Sequence, residues 1–278
     1  MTSRARCGAI AVLVATVLTT VLAACGGPSA DNKYGLATPG TIEAAAATEQ
    51  PPFSIAGENG HPAGFIIDIT DEAARRLNLK VTYKASTTAA MLQGLTSGQY
   101  DLAAGGLGVT AEREKSVSFT KALYWSTTAV LTKADSAAKA LTDFSGKKVG
   151  AVTGAVQQAF VRDKMPGAVP TSFQSQNTMV SQLVAGNIDA LAVGGPDARE
   201  YLKQYPSLRI AVSAPVDHPT AMALPRNHDA LRQAIDEQVG AMVSDGTFLT
   251  LYRKWFTEPP NAELIKVWPA IGNQVGQR

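Results

Sequence analysis

The sequence predicts an α/β fold with parallel sheets, built from two successive runs of alternating strands and helices. Short apolar stretches typical of buried strands alternate with longer amphipathic stretches typical of helices along most of the chain. Strands and helices that alternate in this way form parallel sheets, because each helix returns the chain to the start of the next strand. The 278 residues are enough for one large domain or two lobes.

The first run begins at Thr41 and ends near Thr132. Pro51-Pro52-Phe53 is expected to be a loop, since two prolines cannot donate to a strand ladder. Strands are predicted at Thr41–Ala47, Lys80–Tyr83, Asp101–Ala104 and Thr127–Thr132, and helices at Phe65–Leu77 and Ala89–Thr96.

The second run extends from Lys148 to Val212, after which the chain is expected to turn back through Thr220–Leu224 and end in two helices. Gly186-Asn187 gives a helix stop between two elements. Strands are predicted at Lys148–Val152, Pro170–Phe173, Ile188–Val193 and Leu208–Val212, and helices at Gly154–Arg162, Thr178–Ala185, Asp197–Gln204, Asp229–Val243 and Phe248–Trp255.

The first 24 residues have the pattern of an export signal. Arg4 and Arg6 precede an uncharged apolar run from Gly8 to Val21, which is too short for a stable membrane span. Leu22-Ala-Ala-Cys25 follows and resembles a bacterial lipobox, in which the cysteine is lipidated and becomes the first mature residue. The alternative is ordinary cleavage after Ala24. We therefore expect a signal peptide at 1–24, a lipidated tether at 25–40, and anchoring to the outer face of the cell membrane.

Composition restricts the stabilising chemistry and the partners. The two cysteines are Cys7 and Cys25, so the exported body has no disulfide and depends on a hydrophobic core. Without Arg4 and Arg6 the chain has 23 basic and 23 acidic residues. A formally neutral surface argues against nucleic acid as a partner recognised by bulk charge.

The stretch from Asp101 to Arg113 carries the chemistry that points to a ligand. The predicted strand Asp101–Ala104 runs into Gly105-Gly106-Leu107-Gly108, where glycine permits unusual backbone dihedrals and lets another group approach the main-chain N–H groups directly. Thr110 is a predicted N-cap, which puts Arg113 in a first helical turn, where its charge opposes the helix dipole. Two interpretations remain open: Arg113 and the N–H groups bind a carboxylate, or Arg113 pairs with a neighbouring acid in a tight turn.

Six segments along the body occur in the order and spacing of a known family. They are Pro52-Phe53, Gly64-Phe65-x-x-Asp68, the strand ending Thr110-Ala-Glu-Arg113, Val117-x-Phe119-Thr120 with Tyr124, Gly146-Lys-Lys-Val-Gly150 through Gly154, and Asp245-Gly246-Thr247 running to Tyr252-x-Lys254-Trp255-Phe256. With these segments the chain resembles the family 3 extracellular solute-binding proteins, the amino-acid receptors of bacterial ABC importers.

The resemblance implies a type II periplasmic-binding-protein fold. Two α/β lobes would be joined by two hinge strands, near Thr127–Thr132 and Ala211–Leu224, with the ligand in the cleft between the lobes. Lobe I would comprise 41–126 and 221–278, and lobe II would comprise 127–220. The implied function is capture of an amino acid or related small carboxylate by a monomeric lipoprotein that serves an ABC permease and ATPase. No cofactor, metal or enzymatic activity is expected.

The resemblance also implies a set of ligand-binding residues. Arg113 would clamp the ligand carboxylate with help from main-chain N–H groups, an apolar wall would come from the Pro-rich loop, and the helix after Gly154 would face the cleft. The residues expected in the site are Gln50, Phe53, Gly106, Gly108, Arg113, Val156, Gln157, Gly194 and Asp197.

The chain departs from the family pattern where relatives bind the ligand ammonium. Gly194 stands where many relatives have an aspartate, and Ala47 and Gln50 replace an acid and an aromatic residue. A buried ammonium without a counter-charge is costly. Either Asp197 or Glu49 substitutes for the missing acid, or the ligand is not an ordinary α-amino acid; the second option favours a small carboxylate or derivative with an apolar part.

Two other functions fit the same scaffold: a cleft enzyme similar to cyclohexadienyl dehydratases, and a ligand sensor lipoprotein without a transporter. Catalysis would need an acid or base near Arg113. His61, His218 and His228 lie in predicted loops and are expected to be solvated. Glu49 and Asp197 are expected to be surface helix caps. The position of the chain from Glu258 onward remains open: it either wraps around lobe I or is not packed against it.

Overall fold

The computed structural model describes residues 32–275, apart from the side chains of residues 126, 216 and 217. The expected signal peptide, the lipidation of Cys25 and the first part of the tether lie outside the described residues. Within the described part, no helix is both long enough and apolar enough to cross a bilayer.

A nine-stranded sheet runs through the described chain. Eight of its strands follow one another in the order β4-β1-β5-β11-β7-β10-β8-β9, and β6 pairs with β11. A small hairpin of β2 and β3 stands apart. The strands are β1 Thr41–Ala46, β2 Glu49–Gln50, β3 Ser54–Ile55, β4 Lys80–Ala85, β5 Leu102–Gly108, β6 Val117–Phe119, β7 Tyr124–Lys133, β8 Lys148–Val152, β9 Val169–Phe173, β10 Ala190–Gly194 and β11 Leu208–Pro225.

Helices connect these strands and cover the sheet. Short 3₁₀ turns lie at Glu58–Gly60 and Leu141–Phe144. The α-helices are α1 Phe65–Arg76, α2 Thr88–Thr96, α3 Ala111–Glu114, α4 Val156–Lys164, α5 Gln176–Ala185, α6 Gly195–Gln204, α7 Asp229–Asp245, α8 Thr247–Trp255, α9 Ala262–Val267 and α10 Pro269–Val275. The α/β class is confirmed, because β1 pairs in parallel with β4 and β5, and β8 with β9 and β10.

Two long strands, β7 and β11, cross the middle of the sheet antiparallel to each other. The expectation that the chain ends one strand at Val212 and turns back near Thr220 is wrong, because β11 continues from Leu208 to Pro225. Its pairing with β7 shifts register between Ile210 and Val212 and again between Pro215 and Pro219. The second shift lies between two prolines, which cannot donate to a regular ladder.

Separate hydrophobic clusters lie on either side of the crossing strands. One pair of clusters includes Phe65, Met91 and Phe248, and the other includes Val130, Met179 and Leu191. We call the part around the first pair lobe I and the part around the second pair lobe II. This is the two-lobed arrangement of the type II fold. The exact residues that form the boundaries between the two lobes remain a prediction.

The C-terminal segment packs against lobe I. Leu264 and Ile271 are buried with the first cluster, and the Trp268 Nε1–H donates to the Ala122 carbonyl over 2.7 Å. Helices α9 and α10 therefore complete the core of lobe I, which answers the question the sequence left open.

Candidate ligand-binding site between the lobes

A cavity lies between the two lobes, with an empty volume of about 580 Å³ that is partly open to solvent. We call it the cleft cavity. All nine residues that the sequence suggested for the site line it. The remaining lining residues, which sequence reasoning did not name for the site, are Thr88, Leu107, Thr127, Ala155, Gln176, His218 and Thr220.

The glycines of the central stretch belong to β5, so the alternative of a tight turn at this stretch is wrong. They lie inside a buried strand that pairs with β1 and β11. A Cβ on Gly106 would lie 3.0 Å from Cδ2 of Phe53, and one on Gly108 would lie 2.8 Å from Cε1 of His218. Glycine at these positions lets the lining side chains lie directly against the strand.

Arg113 lies in the short helix α3, which begins after the N-cap Thr110, whose Oγ1 accepts from the Arg113 backbone N–H. Its guanidinium donates from Nη1 to the Gly108 carbonyl over 2.6 Å and from Nη2 to the Gly154 carbonyl over 2.7 Å. The second bond reaches from lobe I to lobe II.

Burial lowers the pKa of Arg113 to about 10, so the side chain is still charged at neutral pH. Among the described side chains, no acid forms an ion pair with it; its acceptors are the two carbonyl oxygens. The interpretation of Arg113 as half of a surface ion pair does not match this arrangement. A buried cation with neutral partners provides a strong attraction for an anion.

The Gln50 side chain accepts a hydrogen bond from one of the backbone N–H groups that were expected to face the ligand. The Gly106 N–H donates to Oε1 of Gln50 over 3.0 Å, and Nε2 of Gln50 donates to Oγ1 of Thr88 over 3.3 Å. The expectation of a bare N–H at Gly106 is therefore wrong for this conformation.

Asp197 is the third residue of α6 and lies inside the cleft cavity. Its side chain and backbone together are only 5% exposed, so the interpretation as a surface helix cap is wrong. Its Oδ1 has no hydrogen-bond partner among the described atoms. Burial raises the pKa of the Asp197 carboxyl to about 7, partly offset by hydrogen bonding to its own backbone and to Gln176.

The carboxylate of Asp197 reaches the place where a side chain at position 194 would begin. A Cβ added to Gly194 would lie 2.5 Å from Oδ2 of Asp197. Gly194 is the N-cap of α6, and the absence of a side chain there leaves room for the carboxylate one turn further along. Sequence spacing alone did not reveal this, because residues 194 and 197 are separated by a helix start whose geometry was not known.

The N-terminus of α4 supplies the lobe II wall that faces β5. Val156 Cγ1 would lie 3.0 Å from a Cβ on Gly108, and Ala155, the N-cap, has no side-chain capping hydrogen bond. The Gly154 N–H donates to Oε1 of Gln158 over 3.1 Å. The positive end of this helix therefore points toward the cavity that contains Arg113.

Glu49 lies outside the cleft cavity, in an adjoining one. Its carboxylate accepts from Oγ of Ser175 over 2.6 Å and from the Asn177 N–H over 3.3 Å, so it binds the start of α5 from the opposite lobe. Glu49 therefore does cap a helix, although that helix belongs to lobe II.

The three histidines have three different environments. His218 lines the cleft cavity, and the His228 side chain is only 12% exposed, 3.8 Å from the buried Asp101. The expectation of solvated rings is wrong for both. His218 lies between the lobes because β11 continues through it, and His228 lies next to the buried Asp101. His61 is exposed and bonds Asp71.

Comparison with known proteins identifies the family. The sequence profile of the bacterial extracellular solute-binding proteins, family 3, matches residues 42–258. The chain belongs to this family. It is thus an extracellular solute-binding protein of family 3, and the resemblance drawn from the six sequence segments is confirmed.

Individual relatives of this family 3 protein cover most of its length. It is 26% identical over 230 residues to ABC transporter arginine-binding protein 1 of Escherichia coli strain K12, covering 81% of this chain and 94% of the relative. An ancestral arginine-binding protein bound to arginine superposes with a TM-score of 0.74 at 29% identity, covering 78% and 98%. AncCDT-1, an ancestral amino acid-binding protein and precursor of cyclohexadienyl dehydratase, superposes with a TM-score of 0.72 at 26% identity, covering 78% and 96%.

Proposed function

We propose that this family 3 protein captures an amino acid or a related small carboxylate in the cleft cavity and delivers it to an ABC permease and its ATPase. The observation that carries the proposal is the charged Arg113 guanidinium, partly buried between the lobes and bonded only to carbonyl oxygens among the described atoms. A ligand carboxylate would offer it the ionic acceptor that this arrangement lacks. The N-terminus of α4 would add to the attraction.

Asp197 supports an ammonium group at the other end of the ligand. Of the two acids that could replace the missing aspartate at 194, Asp197 lines the cleft cavity and Glu49 does not. The carboxylate of Asp197 reaches position 194 in space and has an unpartnered oxygen. This favours an ordinary α-amino acid over a ligand without an ammonium group.

Both lobes contribute to the site, which is what closure around a ligand requires. Arg113, Gln50 and Phe53 come from lobe I, and Val156 and Asp197 come from lobe II. A ligand that contacts both lobes stabilises the closed form relative to the open form. We further propose that Cys25 carries the lipid anchor and that the protein acts as a monomer. The relatives compared above are named as binding proteins, which favours capture over catalysis.

The proposal is tested by titration calorimetry of the mature chain, produced without the lipid, against amino acids and simple carboxylates. We expect at least one amino acid to bind, and Arg113→Met to weaken its binding about 100-fold, since a charge-assisted pair in a buried site is lost. Arg162→Met, which removes an exposed arginine of α4 paired with Asp163, is the matched control and leaves affinity unchanged. Equal affinity of the Arg113→Met variant and the unchanged protein would refute the carboxylate clamp.

A further inference from the structure

The cleft cavity adjoins a second cavity, and three polar side chains line both. The second cavity is formed by the loop after β1, the loop before α2 and the start of α5, and its wall includes Glu49 and Ser86. The three shared side chains are Gln50, Thr88 and Gln176. Two of them come from lobe I and one from lobe II, so together they form a collar between the cavities.

Within the collar, the Gln50 side-chain amide is hydrogen-bonded through both its oxygen and its nitrogen. Its Oε1 accepts from the Gly106 N–H, and its Nε2 donates to Thr88. A Cβ on Gly105 would lie 3.1 Å from the same Oε1, so the glycine of β5 leaves room for the amide to lie against the strand. The opposite member, Gln176, accepts a hydrogen bond from the Tyr201 hydroxyl.

We propose that Gln50 limits the length of the ligand side chain, so that this protein selects α-amino acids with short, uncharged side chains. The inference rests on the proposed function, because it takes Arg113 and Asp197 as the two ends that hold the ligand main chain. A side chain that extends from those groups toward the second cavity has to pass Gln50. The collar presents amide and hydroxyl groups, and the acid that could pair with a basic side chain, Glu49, lies beyond it and is already bonded to Ser175 and Asn177.

The test is a competition between short and long amino acids in the purified protein. Calorimetric titrations with glycine, alanine and serine are compared with titrations with glutamine, lysine and arginine. We expect the short group to bind at least 10-fold more tightly. Gln50→Ala joins the two cavities, and we expect it to reduce that preference at least 10-fold or reverse it. Gln50→Ser serves as a second shortened variant, and thermal unfolding checks that each variant is folded.

Gln50→Met is the matched control, since methionine keeps the length and bulk of glutamine without its hydrogen bonds. We expect it to retain the preference for short side chains. The inference is overturned if the unchanged protein binds lysine or arginine as tightly as alanine, or if Gln50→Ala and Gln50→Met have the same preference. In either of those results amino-acid binding itself, and hence the proposed function, still stands. If no amino acid and no simple carboxylate binds, both the proposed function and this inference fail.

Discussion

At the scale of single residues, Asp197 combines a stability cost with the ligand-binding role proposed for it. Its carboxyl has a folded pKa of about 7, against an ordinary value near 4 in the unfolded chain. Between these values the folded state holds a proton that the unfolded state has released. The contribution of Asp197 to the free energy of unfolding therefore falls as pH rises from about 4 to 7.

We predict that Asp197→Asn removes the fall in the free energy of unfolding that Asp197 causes as pH rises. Urea unfolding at pH 5 and pH 7.5 should show that the variant gains stability relative to the unchanged protein at the higher pH, by roughly 1–4 kcal/mol. Glu72 and Asp245, whose lowered pKa values are about 2, do not titrate in this window. Asp236 has a raised pKa and titrates in the same direction, so only the difference between the two proteins isolates Asp197. Parallel pH profiles for the two proteins would contradict the assignment.

The site illustrates what residue types could and could not indicate in advance. Arg113 stood out because a cation in a first helical turn opposes the helix dipole, which left an anion as one explanation. Asp197 was one of two candidates for the missing acid, but the sequence could not separate that role from a surface cap, because an acid after a helix-starting proline is an ordinary helix stabiliser. Its burial results from packing of α6 against the cleft, and no local pattern encodes that. His218 was missed for a similar reason, since its position depends on β11 continuing past two prolines.

At the scale of elements, segments with a clear apolar pattern were predictable, and segments without one were not. Helix α1 and strand β8 were expected within about a residue of their observed bounds. A tight turn at Gly105–Gly108 was one alternative because glycine is common in turns, but β11 pairs with Leu107 and Gly108 and keeps the stretch extended beyond the residues that pair with β1. Helices α9 and α10 are six and seven residues long, too short to show a period, and tertiary packing stabilises them.

We predict that the tail is a structural part of lobe I. Trp268 is 7% exposed and its ring N–H satisfies the Ala122 carbonyl. Trp268→Ala should lower the free energy of unfolding by about 3–5 kcal/mol, since it leaves a cavity and an unpaired buried carbonyl. Lys266→Ala, which removes an exposed side chain of α9, is the control and should change it by less than about 0.5 kcal/mol. Denaturant unfolding measures both; a small effect for Trp268→Ala would mean that the tail is dispensable.

At the scale of the whole molecule, polar contacts hold the lobes together around the cleft. Arg113 of lobe I donates to the Gly154 carbonyl of lobe II, and Arg199 of α6 pairs with Glu258 over 2.9 Å. Glu49 binds the start of α5 across the same gap. Contacts made between lobes are lost when the lobes separate, so they bias the equilibrium toward the closed form. The two-lobed fold could be anticipated from sequence, but these individual contacts depend on how the two lobes are placed, which no local pattern encodes.

The contact made by Glu49 should matter more to closure than the exposed ion pair of Arg199 and Glu258. Glu49 places a charge at a helix N-terminus and accepts two hydrogen bonds from it, whereas the side chains of Arg199 and Glu258 are 38% and 45% exposed. Exposed ion pairs contribute little because water and salt screen them. Glu49→Gln keeps the size of the side chain and removes its charge.

We predict that Glu49→Gln weakens binding of the captured amino acid about 5-fold, equivalent to about 1 kcal/mol, while Glu258→Gln changes it less than 2-fold. Calorimetry gives the affinities, and X-ray scattering with saturating ligand should show a larger radius of gyration for Glu49→Gln than for the unchanged protein. Because Glu49 lies outside the cleft cavity, its effect should appear equally for every amino acid that binds. An effect confined to one amino acid would instead assign Glu49 to ligand contact, and equal effects of the two variants would show that closure does not depend on this helix cap.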